Sequence, residues 1–312
     1  MKEFTFSPAP WVPFKDKEVL ERCRNIKRED MEKHSNPDFE IKIVPDYSGI
    51  VLGDMVMRMK KSDELDEPVL LVLPNPDPSG YSQVAELVNR YKINCRNVHL
   101  IIMDEWADEN DNIAPLTYKA GFSYSCIKYL VNQIDESLRM PMENVLYPTN
   151  ENAADYSKII EDRGNGGADV FYGGPGWAGH VAFVDPLTPE FHTDSVEEFL
   201  EMGARMVTPH PLTIIQNSLH GTFGQSGDIA NVPPKAFTLG PKDIKNCRYR
   251  IQRHGIMTSG TASSWQKMIS RLTLYGPVTT LIPYSIMQLW PTTAYVSEAM
   301  AAPIEPNELK GY

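Results

Sequence analysis

The sequence predicts an α/β fold, an open, mostly parallel, doubly wound sheet with helices on both faces. Three observations predict it. Short apolar runs alternate with helical patterns from residue 39 onward. PVLLVLP (68–74) is apolar throughout, NVHLIIMDEW (97–106) is an apolar run that ends in two acids, and ADVFYGG (168–174) is the next such run, as expected of strands covered on both sides. The chain, with 312 residues and 42% apolar content, is long enough to bury a large core.

Residues 1–38 begin irregularly and continue as a polar helical stretch, KDKEVLERCRNIKREDMEKH, which reads as an N-terminal extension. The α/β unit is expected to span 39–312 as one domain, because no Pro/Gly/Ser linker divides it. FEIKIVP (39–45) reads as its first strand and YSGIVLGDMVMRMKK (47–61) as an amphipathic helix. PVLLVLP is the next strand and SGYSQVAELVNRYK (79–92) the next helix. NVHLIIMDEW follows as a strand, then helices near 124–134 and 154–164, then ADVFYGG.

Composition narrows the function classes. A formal net charge of -11 with no basic stripe argues against nucleic acid and anionic lipid as partners. No run of 18 apolar residues predicts a membrane span, and the N-terminus lacks the apolar core and cleavage site of a signal peptide. The four cysteines, Cys23, Cys95, Cys126 and Cys247, make no CxxC, so free thiols in a reducing cytoplasm are expected, with no zinc site. The glycines of GGPGWAG lack the strand position and downstream acid of a dinucleotide fingerprint, so no cofactor is expected. A small molecule is the expected partner. His210, His220 and His254 have no metal-ligand spacing and read as structural. Ser259 and Gly260 read as a helix cap or a loop facing a ligand.

In open α/β sheets ligands bind beyond the carboxyl ends of the strands. Three such ends carry chemistry here. One holds Asn75, Asp77, Ser79 and Gly80. The second holds Asp104 and Glu105. The third holds Gly173, Gly174, Gly176, Gly179 and His180, with Asp185 five residues on. Glycines there let backbone N–H groups approach a ligand closely.

The wording of these segments resembles the glucosamine-6-phosphate deaminase/isomerase family. FYGGPGWAGHVAFVDP is similar to that family's GG-x-G-x-D-GH-I-A-F-N-E-P, and IIMDEW to its N-M-D-E-Y. NSLHGTFGQSGDIANVPPKAFTLG (217–240) and SIMQLWPTTAYV (285–296) are similar to two further family segments, in the same order. The 6-phosphogluconolactonases of the wider superfamily lack the A-F-x-E/D-P run. The resemblance implies that Asp104 is a carbon base, that His180 opens the sugar ring and that Asp185 orients it. It implies substrate contacts from Asn75, Ser79, Gly80, Glu105, Gly173, Gly174, Gly176, Trp177, Gly179 and Lys267, and it makes a homo-oligomer an expectation.

Departures stand beside these matches. The family's second orienting aspartate falls on Ala178, and its arginine after N-S falls on Leu219. The family's phosphate turn, T-G-G-T-P, is PNPDPSGYS (74–82) here, in which Pro76 and Pro78 have no N–H and Asp77 is negative. The family's phosphate lysine falls near Ser263, Gln266 or Lys267. Three readings follow: a sugar-phosphate isomerase or deaminase with a rearranged phosphate site, an enzyme for an unphosphorylated sugar with Trp177 as a stacking platform, and a non-catalytic sugar-binding or regulatory protein.

Overall fold

A computed structural model describes residues 4–74, 77–255 and 266–305. Ten strands form two sheets. They are β1 (Phe39–Val44), β2 (Val69–Leu73), β3 (Val98–Ile102), β4 (Asp104–Ala107), β5 (Val145–Leu146), β6 (Val170–Gly173), β7 (Arg205–Val207), β8 (Lys235–Thr238), β9 (Tyr249–His254) and β10 (Thr292–Ser297). Seven of them build a parallel sheet in the order β1-β10-β9-β6-β2-β3-β5. The other three make an antiparallel sheet in the order β4-β8-β7.

The sequence pattern explains the layers. All five residues of β2 are buried, as are all four of β6, because helices surround the central sheet. The helix Pro78–Tyr91 turns Tyr81, Val84, Ala85 and Val88 inward at the three- and four-residue spacing of one helical face. It starts at Asp77, whose side chain accepts from Gly80 N–H, with Pro78 in the first turn. It stops at Lys92, which is left-handed with φ 54°. The helix Ser48–Leu65 buries Val51, Leu52, Met55, Val56 and Met59 in the same manner. Near the N-terminus, the helix Lys17–Arg24 puts Cys23 against Leu272, which lies on the helix Lys267–Tyr275.

One element differs from expectation. The run 97–106 is two strands rather than one. The chain leaves the parallel sheet after Ile102, and Asp104–Ala107 pairs antiparallel with β8, Asp104 opposite Thr238. The Met103 carbonyl accepts from Leu239 N–H at 2.9 Å, so the break is itself stitched to the end of β8. The split carries Asp104 out of the large sheet into the small one, where it stays buried.

Strand order locates the ligand crevice. From β2 the chain moves outward through β3 and β5, then returns to the other side of β2 with β6 and moves outward again through β9 and β10. Direction reverses between β2 and β6, so the segments after these two strands part and leave a cleft.

Candidate functional site

A cavity of about 680 Å³ opens at that reversal. Pro74, Asp77 and Ser79 reach it from the end of β2, Met103 from the end of β3, Gly173, Gly174 and His180 from the end of β6, and Arg253 from β9. Leu219 and His220 close it on another side.

His180 is held by a tight turn and by two side chains. The turn needs glycine twice. Gly179 has φ +76°, a conformation that a side chain disfavours. At Gly176 a Cβ would stand 1.8 Å from His180 Nε2, so only glycine leaves the imidazole its place. Two residues on, Ala182 lines the cavity at φ 53°, a strained value for a residue with a Cβ.

On its other edge the ring is anchored. His180 Nδ1 lies 2.9 Å from Asp185 Oδ1 and 2.8 Å from Thr213 Oγ1. The Thr213 hydroxyl donates to the same Asp185 oxygen at 2.7 Å. A carboxylate only accepts, and the single hydroxyl proton is spent on it, so Nδ1 carries the hydrogen and shares it between Asp185 and Thr213. With the hydrogen on Nδ1, the neutral form of the ring presents Nε2 as a bare lone pair. The second Asp185 oxygen accepts from the backbone N–H of His210 at 2.8 Å. His210 also caps the helix Pro211–Ser218, which bears Thr213, its Nδ1 accepting from Leu212 N–H at 3.1 Å. One cap thus fixes both the acid and the hydroxyl that hold His180.

Asp104 is 1% exposed. Thr238 donates its hydroxyl to Asp104 Oδ1 at 2.6 Å, and Phe183 N–H donates to that hydroxyl at 3.0 Å. Burial pushes the Asp104 carboxyl up to about 8, with the nearby Glu105 and Asp185 charges adding to the effect against the Thr238 bond. The Glu105 oxygens accept from Trp106, Phe122 and Ser123 N–H at 2.9, 3.1 and 2.8 Å. That carboxylate therefore fastens the start of the helix Phe122–Tyr129.

The remaining candidates divide. Ser79, Gly173 and Gly174 line the cavity. Gly80 N–H is taken by Asp77, and Trp177 donates its backbone N–H to Gln216 at 2.7 Å. Lys267 reaches the Pro303 carbonyl at 3.1 Å from an exposed side chain. Asp104, Asp185, Glu105, Gly80, Gly176, Trp177, Gly179 and Lys267 are not among the residues that line the cavity; Asp104 follows Met103 and Asp185 stands behind His180, both of which do. Asn75, Pro76, Ser259, Gly260 and Ser263 lie outside the described residues.

Sequence reasoning passed over four site residues. Thr213 sits in a segment with no motif of its own, Thr238 lies within the matched segment 217–240 but was not singled out, and Arg253 and Tyr284 carry no spacing signal. His220, read as structural, lines the cavity, and burial pushes it down to about 4. His254 is fully buried, bonded to Ser270 and Gln252, and pushed down to about 3 by that burial. Among the described residues no cluster of His, Cys, Asp and Glu is arranged to hold a metal ion, and no helix is long and apolar enough to cross a membrane.

Sequence comparison finds relatives named glucosamine-6-phosphate deaminase. No family model matches the chain. It is 26% identical over 230 residues to the glucosamine-6-phosphate deaminase of Lachnoclostridium phytofermentans, spanning 72% of this chain and 84% of that protein. It is 30% identical over 206 residues to the glucosamine-6-phosphate deaminase of Borrelia hermsii, spanning 65% of this chain and 70% of that protein. Among solved structures, a monomeric glucosamine-6-phosphate deaminase superposes with a TM-score of 0.64 at 17% identity, over 84% of this chain and 98% of that one. The 6-phosphogluconolactonase of Leishmania guyanensis superposes with 0.56 at 15% identity, over 85% of this chain and 98% of that one. The fold is shared with both.

Proposed function

The chain belongs to the glucosamine-6-phosphate deaminase family, and from that premise we propose that it is an isomerase or deaminase that transfers a proton between C2 and C1 of an amino sugar through an enediol-type intermediate. The observation that carries the reading is His180 at the cavity wall with Asp185 and Thr213 behind it, which fix one tautomer of the ring.

In this reading His180 Nε2 moves the proton that ring opening requires, and the Asp185 carboxylate stabilises the imidazolium formed in passing. Asp104 is the base for the C2 proton. A carboxyl raised to about 8 is better matched to carbon acidity near neutral pH than an ordinary aspartate. Protonation at C1 completes the isomerisation to a C2 imine; addition of a water molecule to C2 and loss of ammonia then complete the deaminase outcome and leave the ketose. Thr213 supports this reading over a non-catalytic one, since its hydroxyl stands on His180 although position 178 is alanine. The same buried arrangement is more than a sugar-binding module requires.

Turnover of glucosamine 6-phosphate and of glucosamine, read as ketose and ammonia, tests the proposal. Formation of ketose from either sugar is the expected result. His180→Gln is expected to slow the cyclic sugar more than an open-chain analogue, because only the cyclic form needs a proton moved at the ring oxygen. Equal losses on both would reduce His180 to a binding residue.

A further inference from the structure

Resting on that reading for the reaction, we infer that Asp77 is a built-in anion that fills the anion position of the cavity, so that the substrate is an amino sugar ending there in a hydroxyl rather than a phosphate.

The cavity has two features that attract an anion. The helix Pro78–Tyr91 begins at its wall, with Ser79 in the lining, and a helix start offers free N–H groups and the positive end of the macrodipole. Among the described residues, Arg253 is the one Arg or Lys that lines the cavity. Asp77 engages both. Its Oδ1 accepts from Gly80 N–H at 2.9 Å, and its Oδ2 stands 3.4 Å from Arg253 Nη1. Gly80 admits this placement, because a Cβ there would lie 2.5 Å from Asp77 Oδ2. Pro78 has no N–H to add. His220, with its titration pushed down by burial, lines the cavity as a neutral ring at pH 7 and adds no positive charge. An incoming phosphate therefore meets a capped helix, a guanidinium already paired and a carboxylate of its own sign.

A separate observation points to a neutral partner. Tyr284 lines the same cavity, is fully buried, and its hydroxyl has no hydrogen-bond partner among the described residues. Buried hydroxyls without partners are rare because they are costly. A sugar hydroxyl completes this one as donor or acceptor.

Calorimetric titration of the full chain with glucosamine, glucosamine 6-phosphate and inorganic phosphate tests the inference. The wild type is expected to bind the free amino sugar at least as tightly as its 6-phosphate. Asp77→Asn keeps an N-cap and removes the charge. It is expected to bind glucosamine 6-phosphate and inorganic phosphate about tenfold or more tighter than wild type, through an Arg253 now unpaired. Adding Arg253→Gln to that variant is expected to abolish the gain. A wild-type preference of tenfold or more for the phosphorylated sugar overturns the inference, and so does an Asp77→Asn variant without gain. If Asp77→Asn fails to fold by circular dichroism, Arg253→Gln alone decides. Phosphate affinity within about twofold of wild type supports an arginine already neutralised, and a tenfold loss overturns it. These titrations need no turnover. Absence of ketose and ammonia from both sugars would remove the catalytic reading and leave the anion question to the titrations.

Discussion

The two ends of the cavity are built on opposite principles. At the β6 end, His180 is held by groups that leave its outer nitrogen unspent: Asp185 and Thr213 take Nδ1, and Gly176 leaves room at Nε2. At the β2 end the charged groups face each other. Asp77 spends its carboxylate on its own helix and on Arg253. The first end is prepared to move protons, and the second is already satisfied by its own charges. The difference teaches that chemistry and substrate choice are separable here, and that variants at one end should leave the preference set at the other intact.

The largest expected effect is at the base. Asp104→Asn should lower kcat by about 10²–10⁴-fold while the sugar and sugar-phosphate affinities keep their ratio. A kcat near wild type would remove Asp104 from the mechanism, and an altered ratio would join the two ends. The protonation of Asp104 gives a second readout. Folded, the carboxyl keeps its proton up to about pH 8; unfolded, it releases it near the ordinary aspartate value of about 4. The folded state therefore holds more protons between those values. The stability this group contributes is fully present below about pH 4 and is lost as pH rises toward 8. Turnover should rise over the same window as the base ionises. Denaturant unfolding of the wild type from pH 5 to pH 9 should show the decline, and Asp104→Asn should flatten it.

Next comes Gly176→Ala. The added methyl collides with the imidazole, so His180 must turn away from its acid or the loop must move. A displacement on the order of 1 Å at a reacting group costs about 10²-fold in rate. Turnover should fall by about that factor with the fold preserved by circular dichroism. A loss of less than about threefold would mean that the ring stands elsewhere when sugar is bound.

Most of this frame was legible in the sequence, and the limits of that legibility are physical. Apolar runs identified β2, β3 and β6, of which β2 and β6 are buried along their whole length and β3 at all but His99. The boundary at Met103 was not legible, since the two acids of IIMDEW read as the end of one strand, whereas Asp104 begins a second strand with another pairing partner. His180 and Asp185 share one loop and could be seen as a pair. Thr213 lies 28 residues beyond Asp185 and meets it only because the His210 cap docks that helix on the loop. Asp77 was legible as a charge that repels phosphate. That it reaches Gly80 and Arg253 together depends on β9 returning beside β6, which only the strand order reveals.

The smallest effect expected is at Thr213, and it separates positioning from chemistry. Thr213→Val keeps the shape and removes the hydroxyl that both donates to Asp185 and shares the His180 Nδ1 hydrogen. The Asp185 contact with His180 at 2.9 Å remains, so the tautomer is kept with one support fewer. A neutral hydrogen bond is worth about 0.5–1.5 kcal/mol net, which converts to roughly two- to tenfold in kcat. KM should change little, because the hydroxyl lies behind the ring and away from the cavity lining. Thr213→Ser should restore most of the rate, since it returns the hydroxyl without the methyl. A Thr213→Val variant that loses stability and rate together, with no recovery in Thr213→Ser, would make Thr213 a packing residue. The ordered support of His180 would then rest on Asp185 alone.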